Sequence, residues 1–223
     1  MDLPSYWLPR PPFGPDDKTL ADFAALLADA VALGPDKPVP YTLAAPKWQF
    51  LCYATDHKGL LSHGSGDPNI AEFEPRQSND VYEFGDQKAV YAASDGLWSM
   101  YYAIVNRPRP VTSLVNGCFR EVGNENAEPL YFFSINESAF EGETWRQGAV
   151  YLLPGETFEQ QKPMAAQGGQ IEIAQWRSFK PVTPLAKLAI GPDDFPLLSE
   201  IRGHNPTEVR ARAEADPEGF PWL

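Results

Sequence analysis

The sequence is poor in the residues that build disulfide and metal frameworks. Among its 223 residues there are two cysteines, Cys52 and Cys118, and three histidines. The cysteines lie far apart and outside any C-x-x-C pair, which argues against a disulfide framework or a zinc site and favours reduced, packed thiols. We therefore expect a protein without a metal site.

Long apolar runs are lacking too. One of the longest, AALLADAVAL at residues 24–33, is interrupted by Asp29 and falls well short of the roughly 20 residues that a membrane span needs. The opening stretch, MDLPSYWLPRPPFGPDD, has no basic region followed by an apolar segment, so no secretory signal is visible. The sequence predicts a cytoplasmic protein with no membrane partner.

Positive charge is scarce. The 18 Lys and Arg residues are scattered and face 30 Asp and Glu residues, which gives a formal net charge of −12. Such a charge repels phosphate backbones, which argues against a nucleic-acid partner but leaves room for a local basic pocket. Proline is frequent, with clusters at 4–15, 35–46 and 108–110, and the 13% aromatic content favours ordered connections between short strands over disorder.

The hydrophobic pattern predicts a mixed α+β chain. One helix is expected between an N-cap at Asp16 or Asp17 and a stop at Gly34-Pro35, with an apolar face formed by Leu20, Phe23, Leu27 and Val31. A second helix is expected in DGLWSMYYAIVNR, after Asp95, and a third from about Thr207 to Ala215, ended by Pro217. Short apolar or aromatic runs predict strands of an antiparallel or mixed sheet system: WQFLCYAT, KAVYAAS, SLVNGCF, PLYFFSIN, GAVYLLP, GQIEIAQW and PLAKLAI.

Polar and aromatic residues are expected to meet where the strand in KAVYAAS turns at Ser94-Asp95 into the following helix. Ser99 and Tyr102 are three residues apart and therefore share one face of that helix. If this face looks back at the strand, Tyr91 converges with them on a slot with a phenol ring on each side and a hydroxyl at its edge. Such a slot suits a planar amide such as nicotinamide, although ordinary core aromatics are the default explanation of the pattern.

The spacing of these residues resembles a known family. His63-Gly64-Ser65, then KAVYAAS with Tyr91, then Ser99 and Tyr102, is similar to the first two motifs of the ADP-ribosyltransferases related to diphtheria toxin and the poly(ADP-ribose) polymerases. Ser99 and Tyr102 follow Tyr91 by eight and eleven residues, as in the polymerases, and YEFG at 82–85 resembles the approach to the second motif. The resemblance covers residues 49–106 well and the remainder loosely.

The resemblance implies an α+β fold in which split antiparallel β-sheets form a cleft, and it implies NAD as the substrate. His63 would hydrogen-bond the nicotinamide ribose, the Gly64 backbone would hold the carboxamide, and Ser65 completes this NAD-binding motif. Tyr91 and Tyr102 would flank the ring, and Ser99 would bond its amide. The expected division is an N-terminal proline-rich extension and helix at 1–46, a core at 47–200 and a tail with a short helix at 201–223.

The third motif of the family places a catalytic glutamate on a later strand, where this sequence has Gln175. A neutral amide can hydrogen-bond a ribose but supplies no negative charge. Glu172 lies three residues earlier, and an odd offset points it to the opposite face of a regular strand. Glu143 and Glu156 remain candidates to reach the cleft, and Arg76 is a candidate partner of the adenosine phosphate or ribose, although a solvated loop arginine is the simpler interpretation.

These residues leave three functional hypotheses. The first is an NAD-dependent ADP-ribosyltransferase or NAD glycohydrolase, in which His63, Tyr91 and Gln175 are the catalytic candidates and a protein is one candidate acceptor. The second is a weak or inactive module of the same fold that binds NAD, ADP-ribose or a protein partner. The third is a structural protein without a ligand, which would allow His63 and Tyr102 to be far apart.

Overall fold

A computed structural model describes residues 6–124, 127–166 and 169–223, so the first five residues of the predicted N-terminal extension lie outside the described ranges. Within these ranges the chain has four α-helices and thirteen β-strands. The helices are α1 (Asp17–Leu33), α2 (Lys47–Lys58), α3 (Gly96–Ile104) and α4 (Pro206–Ala215). The strands are β1 (Leu8–Pro9), β2 (Leu61–Ser65), β3 (Arg76–Gln77), β4 (Lys88–Ala93), β5 (Leu114–Glu121), β6 (Leu130–Asn136), β7 (Gly148–Leu153), β8 (Glu159–Gln160), β9 (Met164–Ala166), β10 (Gly169–Ile173), β11 (Gln175–Ser178), β12 (Ala186–Ile190) and β13 (Arg202–His204).

The described strands form two sheets, which confirms the predicted α+β class. The first sheet has the order β1-β6-β5-β10-β9, with β13 also pairing with β6, and the second has the order β12-β7-β2-β4-β11-β8, with β3 also pairing with β4. Their pairings are antiparallel except for that of β13 with β6, which is parallel. Neither sheet closes into a barrel.

The two sheets are joined at Ala174, between β10 and β11. The Ala174 N–H donates to the carbonyl of Cys118 in β5, and its carbonyl accepts from the N–H of Ser94 just after β4, each over 3.0 Å. The segment GQIEIAQW, predicted as one strand, is therefore two strands in different sheets. The other predicted strands from KAVYAAS onwards each overlap with an observed strand.

The ends of helix α1 were predicted more accurately than its buried face. The Asp16 side chain caps α1 by accepting from the N–H of Thr19, and α1 ends at Gly34, which has φ of 75°. Phe23, Leu27 and Ala30 are its buried residues, whereas Val31, predicted on the apolar face, is exposed. The predicted helices after Asp95 and in the tail are confirmed as α3 and α4.

The prediction of a strand in WQFLCYAT is wrong, because this segment lies in α2. The helix begins after Pro46 and ends at Gly59, which adopts the left-handed conformation with φ of 63°. Trp48 and residues 50–55 are buried, so α2 is enclosed on most of its faces. A helix buried on most faces has no polar stripe, and its aromatic content then resembles that of a buried strand.

Both cysteines are free and buried, as the sequence indicates. Burial raises the pKa of the Cys118 thiol well above its ordinary value. Among the helices in the described ranges, none combines the length and the apolar character needed to cross a membrane. The division into segments at 1–46, 47–200 and 201–223 stays a prediction.

A buried ion pair fixes the start of α3. Arg10 donates from Nη2 to Asp95 Oδ2 over 2.6 Å, and their side chains are 3% and 2% exposed. The Tyr131 hydroxyl donates to the same carboxylate oxygen over 2.7 Å, while Asp95 Oδ1 caps α3 by accepting from the N–H of Trp98 over 2.7 Å. Arg10 also pairs with Asp56 of α2. One cation from the N-terminal segment therefore links α2, α3 and β6.

We expect Arg10→Met to destabilise the fold by about 3 kcal/mol, because removing one partner of a buried pair leaves the other charge uncompensated. The matched control is Arg120→Met. Arg120 pairs with Asp56 over 3.4 Å but its side chain is 42% exposed, so its loss is expected to cost less than about 1 kcal/mol. Urea unfolding of both variants measures the difference, and equal losses would contradict the assigned role of Arg10.

Candidate functional site

The candidate site lies where β2 and β4 separate. Ser62 pairs with Ala93, and that is the last point at which β2 and β4 are in register. At the other end of the same edge of β4, β3 pairs Arg76 with Ala89 and Gln77 with Lys88. Between these contacts the edge of β4 is open, and the His63 side chain bridges the opening with its Nδ1 at 2.7 Å from the carbonyl of Tyr91.

The contact with Tyr91 determines the protonation of His63. A carbonyl only accepts, so the bond requires the proton on Nδ1 and leaves the lone pair of Nε2 as an acceptor. Burial lowers the pKa of His63, and nearby Arg76 acts in the same direction, against the Tyr91 carbonyl. The imidazole is therefore neutral at neutral pH. Its ring packs against that of Phe73, with centroids 4.6 Å apart.

Both tyrosines are held at their hydroxyl groups. Tyr91 Oη accepts from the N–H of Gln87 over 2.9 Å and donates to the carbonyl of Phe84 over 3.0 Å, which ties down the loop before β4. Tyr102 Oη and Trp98 Nε1 each donate to Oδ1 of Asn116 over 2.7 Å. Burial raises the pKa of Tyr102 to about 12. Both rings are thus oriented without a ligand.

Gly64 lets α3 lie directly on β2. A Cβ at this position would lie 1.8 Å from the carbonyl oxygen of Ser99, a backbone atom of α3. Ser99 is 2% exposed, and its Oγ lies 2.6 Å from Oγ of Ser62 and donates to the Ser62 carbonyl over 3.1 Å. Close packing is thus a sufficient reason for the glycine, and the Ser99 hydroxyl must release Ser62 to bond a ligand.

The predicted site residues line one cleft between the two sheets, whose volume is about 2170 Å³. The cleft is lined by all seven of them: His63, Gly64, Ser65, Tyr91, Ser99, Tyr102 and Gln175. His63 and Tyr102 thus share one cavity, although they come from different elements. Arg76, Glu143, Glu156 and Glu172 are not among the residues that line it.

Gln175 begins β11, directly after the junction at Ala174, and pairs with Ala93 of β4. Ile171 and Ile173 of β10 line the cleft while Glu172 between them does not, as alternation along that strand requires. Gln175 of β11 also lines the cleft. Within the described ranges, the Gln175 side chain makes no hydrogen bond to protein, so its amide is available to a ligand. The carboxylates that line the cleft are Asp80, Glu121, Glu128 and Glu218.

Several residues that line the cleft do not belong to the sequence motifs and were not predicted from the sequence. Asn116 orients Tyr102 from β5, Asp80 lies in the loop between β3 and β4, and Arg107 and Arg146 come from segments 39 residues apart. No spacing signal marks them, because only the tertiary fold brings them to the motif residues. In the described part of the chain, no group of three or more His, Cys, Asp or Glu side chains is placed to hold a metal ion.

His57 and His204 do not line the cleft. His57 is exposed near the end of α2. His204 is 4% exposed and lies between Oγ of Ser134, 2.7 Å from Nδ1, and Oγ of Ser113, 2.9 Å from Nε2. Burial lowers the pKa of His204 to about 4, so it serves as a neutral link between β13, β5 and β6.

Comparison of this chain with protein-family models, with curated proteins and with solved structures found no match. The function must therefore be argued from the cleft itself.

We expect Gly64→Ala to destabilise the fold by about 2 kcal/mol or more, because the added methyl group collides with backbone that cannot rotate away. Gly155→Ala is the control, since a Cβ at Gly155 meets nothing closer than 3.8 Å. Thermal and urea unfolding measure both. A Gly64→Ala variant as stable as the control would show that α3 does not rest on β2 as described.

Proposed function

We propose that this protein binds NAD in the cleft and breaks the bond between nicotinamide and ribose, as an NAD-dependent ADP-ribosyltransferase or NAD glycohydrolase. The observation that carries the proposal is that His63, Tyr91, Tyr102 and Gln175 all line one cleft. Ligand pockets usually measure about 300–1,000 Å³. A cleft of about 2170 Å³ therefore has room for a dinucleotide and an acceptor group.

The site residues suit a reaction that depends on orientation. Neutral His63 offers Nε2 to a hydroxyl of the nicotinamide ribose, and the fixed rings of Tyr91 and Tyr102 hold the leaving group. When the glycosidic bond breaks, its electron pair goes to the nicotinamide ring nitrogen and positive charge develops on the ribose. Water or an acceptor hydroxyl then adds to the ribose carbon and releases a proton. Holding the reactants in this geometry lowers the barrier without a metal ion.

Negative charge near the ribose would stabilise the transition state, and Gln175 supplies none. Among the carboxylates that line the cleft, Asp80 lies near enough to influence both tyrosines. Burial is the main cause that raises the pKa of Tyr102 and of Tyr91, and the negative charge of Asp80 raises both further. We assign Gln175 to bonding the ribose and Asp80 to the charge. If Asp80 does not fill this role, the neutral Gln175 favours the second function, a weak or inactive module that binds NAD or ADP-ribose.

The first test follows nicotinamide release from NAD together with NAD binding by calorimetry. We expect His63→Ala to lower the rate of release by about a hundredfold, because losing a preorganised polar contact at the reacting sugar costs that order of magnitude. His57→Ala is the matched control, since His57 is an exposed histidine outside the cleft. Its rate and affinity are expected to equal those of the unaltered protein.

A second pair of variants separates the two functions. Asp80→Asn is expected to lower nicotinamide release by at least about tenfold, and Gln175→Glu to raise it by a similar factor, because each changes one negative charge at the developing cation. NAD binding without release, with release appearing in Gln175→Glu, would select the binding module. Absence of NAD binding in the unaltered protein would overturn both functions.

A further inference from the structure

Two arginines from distant segments meet at one end of the cleft. Arg107 follows α3, and Arg146 precedes β7, where its N–H donates to the carbonyl of Ile104 over 2.8 Å. Arg146 Nη1 donates to the carbonyl of Arg107 over 3.0 Å. Both arginines line the same cleft as His63. The pair is the local basic pocket that the overall charge leaves room for.

The guanidinium of Arg146 lies beside Gly66, directly after the His63-Gly64-Ser65 motif. A Cβ at Gly66 would lie 1.8 Å from Cζ of Arg146 and 2.0 Å from its Nε, so the glycine provides the space that this side chain fills. Nε is buried and has no hydrogen-bond partner. A buried donor without a partner is costly, so the protein itself leaves part of the Arg146 guanidinium unsatisfied.

The two charges have no carboxylate partner among the residues that the structure describes. Within the described ranges neither Arg107 nor Arg146 forms a salt bridge with a carboxylate, although the chain carries an excess of acidic residues. Burial, and then the Arg107 charge, lower the pKa of Arg146, so the two cations lie close enough to repel. An anion bound by both guanidinium groups in the cleft would relieve that repulsion.

The position of the pair relative to His63 indicates which anion it takes. Gly66, beside the Arg146 guanidinium, comes directly after β2 and three positions after His63. An extended chain advances about 3.3 Å per residue, so the Cα atoms of His63 and Gly66 are at most roughly 10 Å apart. We infer that Arg107 and Arg146 bind the pyrophosphate of the dinucleotide whose nicotinamide ribose lies at His63. A planar guanidinium group can donate two parallel hydrogen bonds to two oxygens of one phosphate group. Naming the anion as part of NAD rests on the proposed function, whereas the anion site itself does not.

Inorganic pyrophosphate is the probe that tests the site without NAD. Calorimetry on the full chain is expected to show saturable binding, with the Kd raised at least about tenfold in both Arg107→Gln and Arg146→Gln, since each removes a charge-assisted bond. Arg109→Gln is the matched control, because Arg109 is exposed, lies two residues from Arg107 and does not line the cleft. Its Kd is expected to be unchanged.

The outcomes separate this inference from the proposed function. Absence of pyrophosphate binding, or an equal loss in Arg109→Gln, would overturn the anion site. His63→Ala is expected to keep pyrophosphate binding, so binding that persists without nicotinamide release in any variant would support the site while the proposed function fails. Nicotinamide release with an unchanged KM for NAD in Arg107→Gln would overturn the assignment to pyrophosphate. Arg107 is exposed, so this variant is expected to fold whether or not Arg146→Gln does.

Discussion

The buried contact between Arg10 and Asp95 is the constraint on which the site depends. Asp95 caps α3 with one oxygen while the other receives Arg10 and Tyr131. Burying an isolated carboxylate in this position would be strongly unfavourable. The Arg10 cation compensates the charge of Asp95, which allows this buried carboxylate to cap α3 and so fixes where the helix begins. The helix then lies on β2 at Gly64, and Tyr102 of this helix lines the cleft.

Much of the secondary structure can be predicted from the sequence where caps, turn residues and hydrophobic patterns lie within the element itself. The Asp16 and Asp95 caps, the glycine after α1 and the strand-forming runs are local signals, and the corresponding elements are present. The helix α2 is not readable in this way, because burial on most of its faces removes the polar stripe. Strands of two or three residues, such as β1, β3, β8 and β13, are too short to carry a pattern, and their pairing depends on partners distant in the chain.

The candidate site divides in the same way. One stretch of sequence carries four of the site residues at recognisable spacings, because they belong to the successive elements β2, β4 and α3: His63, Tyr91, Ser99 and Tyr102. All four line one cleft. Gln175 reaches them because Ala174 joins the two sheets, which no local pattern contains. Asn116, Arg107 and Arg146 owe their places to packing against α3 and Gly66, and are therefore visible only in the folded chain.

The overall charge and the inferred anion site are compatible because they act over different distances. At physiological ionic strength, charges on the surface are screened beyond about 8 Å, so the acidic residues outside the cleft act weakly on a small anion held by the two arginines. A nucleic-acid backbone must instead run along many acidic side chains, where repulsion accumulates. The inferred site, two arginines in a chain of net charge −12, is therefore expected to favour a compact dianion over a polymer. Composition argues against the polymer, whereas the inference of a small anion depends on the tertiary structure.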